Sequence, residues 1–169
     1  MWPMVGIGTV LGEGDAGKFV DPDGTQIPWF YKAGKAGTRL PTGQESIIAS
    51  NQTEPFAFSP LPAVAVLFDR GTASSGESVA IAFAGRAREH SFGEHTAGFT
   101  TANSQYTLSD GAVIYLSTSV VADRTGKLYH DGLDPDVVIA EPETRPADVQ
   151  DAAIRAVEDW LVQQRDLSQ

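Results

Sequence analysis

Two serines and a glutamate form the stretch of this chain with the clearest chemical potential. Ser74 and Ser75 lie in a turn between an apolar, valine-rich run at residues 63–68 and a small-residue helical pattern at residues 75–86, and Glu77 follows Ser74 by three positions. A helix that begins here would direct free backbone N–H groups and the positive end of its dipole towards the Ser74 hydroxyl. Acyl-transfer enzymes use such an arrangement to place a nucleophile beside an oxyanion hole.

The same turn also fits a purely structural motif. The pattern Ser-x-x-Glu at residues 74–77 is that of a capping box, in which the serine and the glutamate satisfy each other's backbone N–H groups at the start of a helix. On this alternative Ser74 begins the helix and does no chemistry. The local pattern leaves both interpretations open, so the rest of the chain has to decide between them.

The elements around the turn predict an α/β fold with a βαβ unit. Residues 63–68 form the first strand, residues 75–86 the helix and residues 91–93 the second strand. Because the two strands are joined by a helix, we expect them to be parallel and the crossover to be right-handed.

The remaining elements are predicted from turn residues and from hydrophobic periodicity. Turn formers indicate two β-hairpins, at residues 19–32 and 105–117, whereas residues 33–60 are predicted to be mostly loop with one strand near residues 47–48. A short apolar strand is expected at residues 137–139. An amphipathic pattern predicts a C-terminal helix over residues 146–166.

Composition excludes several classes of function. The 169 residues suffice for one domain, and the net charge of −10 argues against nucleic acid as a partner. The chain has no cysteine, so disulfides, thiolate metal sites and a cysteine nucleophile are excluded. It also has no run of ~18 apolar residues that would predict a membrane span, and we expect a soluble chain.

Four short motifs carry a resemblance to a known family. They are Thr-Ala-Ser-Ser-Gly-Glu at residues 72–77, Phe-Gly-Glu at 92–94, Leu-Ser-Asp-Gly at 108–111 and Gly-Leu-Asp-Pro-Asp at 132–136. In this order and spacing they are similar to the landmarks of the S41 peptidases, the tail-specific or C-terminal processing serine proteases. Each motif alone has little specificity, but the ordered set is fairly specific.

The resemblance implies a ClpP/crotonase-like core and a particular division of the chain. Residues 1–169 would be a single domain that forms the C-terminal part of an S41 catalytic domain. Within it, residues 1–61 would hold a hairpin and loops, residues 62–139 the motif-bearing core and residues 146–166 the C-terminal helix. The family's second oxyanion donor comes from a glycine-rich loop after a strand that is expected upstream. This implies either an N-terminal segment outside this chain or a homo-oligomer that supplies the partner segment.

The resemblance also implies roles for individual residues. Ser74 would be the nucleophile, and the backbone N–H groups of Ser75 and Gly76 would bind the oxyanion. The family's usual lysine, 25 positions after the serine, is replaced here by Phe99, which cannot accept a proton.

Other side chains must then assist the serine. His130 is the candidate base or orienting group, since imidazole titrates near neutrality, although a solvated turn residue at this position is the structural alternative. The resemblance also allows the base to be a histidine on the upstream segment. Asn103 falls where the family often places a supporting amide. His90 and His95 lack the spacing of a zinc pair, so neither a metal nor a cofactor is expected.

The sequence therefore predicts a serine-type peptidase that cleaves extended peptides through Ser74, with a peptide or protein as substrate. The alternative is a non-catalytic or truncated homologue that binds a peptide or an apolar ligand, which the missing lysine favours. The sequence assigns no compartment. A cell-envelope or secreted location is expected only where a longer parent carries a signal.

Overall fold

The computed structural model describes residues 2–139 and 152–166. Within these ranges the chain forms helices and strands in the following order: α1 (Trp2–Leu11), β1 (Gly14–Val20), β2 (Gln26–Lys32), β3 (Lys35–Arg39), β4 (Glu45–Ser50), β5 (Val64–Phe68), α2 (Ser75–Phe83), β6 (Glu89–Gly93), β7 (Thr101–Thr107), β8 (Val113–Asp123), β9 (Leu128–Tyr129), β10 (Val137–Val138) and α3 (Ala152–Asp166).

The larger of two sheets is antiparallel and contains both predicted hairpins. Its strand order is β4-β3-β2-β1-β8-β7, and β9 pairs with β8. The turn between β1 and β2 closes through a hydrogen bond from the N–H of Gly24 to the carbonyl of Asp21 (2.9 Å). β1 pairs with β8, which joins the two hairpins into one surface.

The prediction of a hairpin and loops over residues 1–61 was wrong in two places. Residues 2–11 form α1, and residues 33–60 contain two paired strands, β3 and β4, instead of one isolated strand near residues 47–48. The glycines and small polar residues there resemble loop composition, but cross-strand pairing overrides that local preference. Gly37 illustrates the reason, since a Cβ at this position would lie 2.2 Å from the carbonyl oxygen of Ser46.

The smaller sheet is parallel and contains the predicted βαβ unit. Its order is β10-β6-β5, and α2 connects β5 to β6. β6 begins at Glu89, two residues before the predicted start, and α2 ends at Phe83 rather than at residue 86. Gly93 ends β6 at a φ of 128°, where an added Cβ would lie 1.8 Å from the carbonyl oxygen of Phe68. The close approach of these two strands therefore requires glycine.

The core lies where α2 packs against β1, β5 and β8, with α1 beside it. Ile81 of α2, Leu11 of α1 and Val121 of β8 are all buried. The buried guanidinium of Arg86 joins these layers, because it donates to the carbonyls of Leu11 (3.3 Å) and Pro62 (2.8 Å). Arg86 thus ties the end of α1 to the segment that leads into β5.

The C-terminal helix α3 packs against β5 and β6. It covers the later part of the predicted range, and residues 146–151 of that range lie outside the described residues. Trp160 stacks on the ring of His90 at a centroid distance of 5.6 Å. His90 lies within β6. In the described ranges, every helix is too short or too polar for a membrane span.

Candidate active site

Ser74 lies at the junction between β5 and α2, in a backbone conformation that serine rarely adopts. Its φ is 53° and its ψ is −113°, and its side chain is exposed. The turn before it is shaped by Asp69, whose Oδ1 accepts hydrogen bonds from the N–H groups of Gly71 (2.9 Å) and Thr72 (3.0 Å). A non-glycine residue in this region costs of the order of 1–3 kcal/mol, and such residues concentrate at functional sites.

Glu77 holds the turn from inside the protein. Its side chain is 0% exposed, and Oε2 accepts a hydrogen bond from the N–H of Ser74 at 2.7 Å. Oε1 accepts two more, from the hydroxyl of Thr96 (2.6 Å) and from the N–H of Gly98 (2.8 Å). The glutamate half of the capping box expected at residues 74–77 is therefore present, whereas the Ser74 side chain makes no capping hydrogen bond. The same carboxylate also contacts a second loop, which follows β6.

That second loop is anchored to a third one. The N–H of Thr96 donates to the carbonyl of Leu133 (3.1 Å), and the N–H of Leu133 donates back to the Thr96 hydroxyl (2.9 Å). The N–H of Ala97 donates to the carbonyl of Thr72 in the Ser74 turn (2.9 Å). The sequence did not predict a role for Thr96 or the contacts of Glu77 with the loop after β6. The only available signal was the position of Thr96 directly after the Phe-Gly-Glu motif and His95.

His95 links the same two loops on their exposed side. Its Nδ1 lies 2.7 Å from Oδ1 of Asp134, and its Nε2 lies 2.7 Å from the carbonyl oxygen of Asp131. The hydrogen bond to the Asp134 carboxylate, followed by the bond to the Asp131 carbonyl, raises the pKa of His95 above 6.5. The ring is half exposed, so solvent can reach it.

The two backbone groups predicted to bind an oxyanion differ in their surroundings. Ser75 and Gly76 are both exposed in the first turn of α2. The N–H of Gly76 donates to the carbonyl of Ala73 at 2.9 Å, so this donor is already used within the turn. The N–H of Ser75 belongs to the first turn of a helix, where N–H groups have no partner within the helix. It is therefore the better placed of the two donors.

His130 lines a cavity to which neither Ser74 nor Asn103 contributes, and Asn103 contacts one of its lining residues. Asn103 lies on β7 and accepts a hydrogen bond from the hydroxyl of Ser117 (3.0 Å). Ser117 and the exposed His130 both line an open cavity of about 450 Å³ at the junction of β1, β8 and β9. Ser74 does not line this cavity. Asn103 is thus linked to this cavity only through Ser117, and catalytic roles for Asn103 and His130 stay predictions.

A smaller cavity, of about 190 Å³, lies beside the Ser74 turn at the carboxyl ends of β5 and β6. Thr72 of the turn lines it, together with the carboxylate residues Asp69 and Glu94 and the aromatic ring of Phe92. Arg70 pairs with Glu94 at 3.5 Å. Ser74 itself does not line this cavity, which reaches the turn through Thr72.

Phe99, at the position of the family lysine, is 64% exposed. No group of three or more metal-ligating side chains was found in the part of the chain that the structure describes.

Comparison with known proteins decides the family. The sequence profile of Peptidase family S41 matches residues 16–139. The chain belongs to this family. The Nisin-resistance protein of Lactococcus lactis subsp. lactis is 31% identical over 137 residues, which are 80% of this chain and 41% of that protein. The chain therefore spans less than half the length of this S41-like relative.

Solved structures agree on the fold. A lipoprotein from Streptococcus agalactiae superposes with a TM-score of 0.64 and 25% identity, over 96% of this chain and 49% of that one. The photosystem II D1 C-terminal processing protease superposes with a TM-score of 0.54 and 24% identity, over 85% of this chain and 32% of that one. These likenesses confirm the α/β fold class expected for an S41 peptidase.

Proposed function

We propose that this S41 chain acts as a serine peptidase through Ser74. One observation carries the proposal: an exposed serine holds a strained positive-φ conformation at the N-terminus of α2. A residue that served only as a helix cap would gain nothing from this strain, since caps ordinarily adopt extended backbone conformations. A nucleophile gains from it, because the sharp turn lifts the hydroxyl out of the strand and above the helix N-terminus.

The proposed reaction follows from these positions. The Ser74 Oγ attacks the peptide carbonyl carbon while its proton passes to a base, and the carbonyl oxygen becomes an oxyanion that the Ser75 N–H and the α2 dipole stabilise. The C–N bond then breaks as the leaving amine takes a proton, and water hydrolyses the acyl-enzyme.

His130 is the base that we propose within this chain, and Asn103 is the supporting amide. A base of this kind contributes about 10²- to 10⁴-fold in rate. His130→Gln should therefore lower the cleavage rate at saturating substrate by at least 100-fold. A change confined to KM would instead make His130 a lining residue of its cavity.

The substrate proposed is an extended peptide or an unfolded protein segment. The cavity beside Ser74 contains the carboxylates of Asp69 and Glu94, and the whole chain has a net charge of −10. Both features favour basic segments over acidic ones. Nisin is a suitable first compound to test, because the S41-like relative from Lactococcus is a Nisin-resistance protein.

Digestion of a mixed peptide library tests the proposal. We expect the wild-type chain to cleave basic peptides and Ser74→Ala to cleave none. Ser75→Ala is the matched control, since it keeps the backbone N–H and should retain activity. Equal cleavage by wild type and Ser74→Ala, or no cleavage by either, would contradict the proposal.

A further inference from the structure

We infer that Glu77 is a positioning residue for Ser74, an inference that rests on the proposed function of that serine. Its buried carboxylate fixes the Ser74 turn and the Thr96–Gly98 loop in one mutual arrangement. Glu77 does not contact the reacting atoms. It acts through the backbone of Ser74.

The geometry distinguishes this role from that of an ordinary cap. A capping glutamate is usually an exposed surface group that satisfies one backbone N–H of its own helix. Glu77 is fully buried and accepts two further hydrogen bonds, from residues 19 and 21 positions later in the chain. A buried carboxylate is tolerated when such charge-assisted hydrogen bonds offset the loss of solvation. The three donors together determine the direction of both oxygens.

The three donors around position 77 require a side chain that only accepts hydrogen bonds. An ionised carboxylate can accept at both oxygens, whereas the amide of glutamine has one accepting oxygen and one donating NH₂. In Glu77→Gln, the oxygen can face the N–H of Ser74 or the N–H of Gly98, but not both. One backbone N–H would then face a donor, and the two loops would lose their fixed relation.

The test compares how fast a fluorophosphonate probe modifies Ser74 in the wild-type chain and in variants of Glu77 and Thr96. In this reaction the Oγ–P bond forms as the P–F bond breaks, and the serine proton and fluoride leave. We expect Glu77→Gln to lower the limiting rate constant of inactivation at least 10-fold, with probe affinity unchanged within 2-fold. Thr96→Val, which removes one donor to Glu77, should lower it by a smaller factor and serves as the second variant.

Asp123→Asn is the matched control. Asp123 is also a buried carboxylate that accepts several backbone hydrogen bonds, but in the turn between β8 and β9. Its substitution should lower the melting temperature and leave the rate constant of inactivation within 2-fold of wild type. A rate constant for Glu77→Gln within 2-fold of wild type would overturn the inference.

Amide hydrogen exchange separates this inference from the proposed function. If the wild-type chain is not modified by the probe, the proposed function fails, and exchange still tests whether Glu77 holds both loops. We expect at least one of the amides of Ser74 and Gly98, the one left facing the NH₂ group, to exchange at least 10-fold faster in Glu77→Gln than in wild type, and that of Lys127 to be unchanged. Unchanged exchange at Ser74 and Gly98 would overturn the role of Glu77.

Discussion

Ser74 combines exposure, a strained backbone and a position at a helix N-terminus. The sequence predicted this residue as a nucleophile through the ordered motifs that resemble the S41 peptidases, since the local Ser-x-x-Glu pattern alone fits a helix cap as well. The contacts of Glu77 with Thr96 and Gly98 could not be predicted in the same way. Their partners lie 19 and 21 residues away, and only the packing of the loops brings them together.

The strain at Ser74 predicts an effect on stability. Glycine adopts positive φ without steric cost, while alanine does not. Ser74→Gly should therefore have a free energy of unfolding about 1 kcal/mol higher than Ser74→Ala, measured by urea denaturation. Ala33→Gly, at another positive-φ position, should be stabilised similarly relative to wild type. A Ser74→Gly variant no more stable than Ser74→Ala would show that the turn is not strained.

His95 predicts a pH dependence of stability. Hydrogen bonds to the Asp134 carboxylate and the Asp131 carbonyl raise the pKa of His95 in the folded state above its ordinary value of 6.5. Protonated His95 therefore stabilises the fold below pH 6.5, and this contribution is lost as the pH rises through the raised pKa. We expect the free energy of unfolding of wild type to exceed that of His95→Gln by more at pH 6 than at pH 8.5.

NMR titration of Asp134→Asn is the control for this prediction. Removal of the carboxylate should return the pKa of His95 towards 6.5. A stability difference between wild type and His95→Gln that does not vary with pH, or that grows at higher pH, would contradict the assignment.

The elements differ in how far the sequence predicts them. Local sequence patterns predicted the β5–α2–β6 unit: an apolar run, a turn and a helical pattern. They did not predict the pair β3–β4, since its glycines and small polar residues are typical of loops and its strands form through pairing with each other and with β2. The role of Asn103 as a supporting amide was implied by the family resemblance and stays a prediction, and in the structure its side chain pairs with Ser117 across β7 and β8.

Gly93 gives a prediction for the parallel sheet. An alanine there would require the backbone of Phe68 to move, because the added Cβ would lie 1.8 Å from its carbonyl oxygen. We expect Gly93→Ala to lower the free energy of unfolding by about 3 kcal/mol or more and to disturb the Ser74 turn that β5 supports. Gly111→Ala, also at positive φ but with open space around it, should cost only about 1 kcal/mol. Equal losses in the two variants would show that β5 and β6 do not approach so closely.

The whole molecule joins a small parallel sheet, which bears Ser74 at its edge, to a larger antiparallel sheet that bears Asn103 and His130. Glu77 and α2 form the connection, since α2 packs against both sheets. This arrangement makes the chain a scaffold on which one strained serine lies beside a cavity with acidic side chains. The net charge of −10 is a property of the composition and was available from the sequence, whereas the separation of Ser74 from the cavity of His130 depends on the fold.

The most direct test of a reactive Ser74 is the intact mass of the chain after exposure to a fluorophosphonate probe, followed by peptide mapping. Our account predicts one adduct per chain, located on Ser74, and none on Ser74→Ala under the same conditions. An unmodified wild-type chain at high probe concentration, or an adduct that persists in Ser74→Ala, would contradict it.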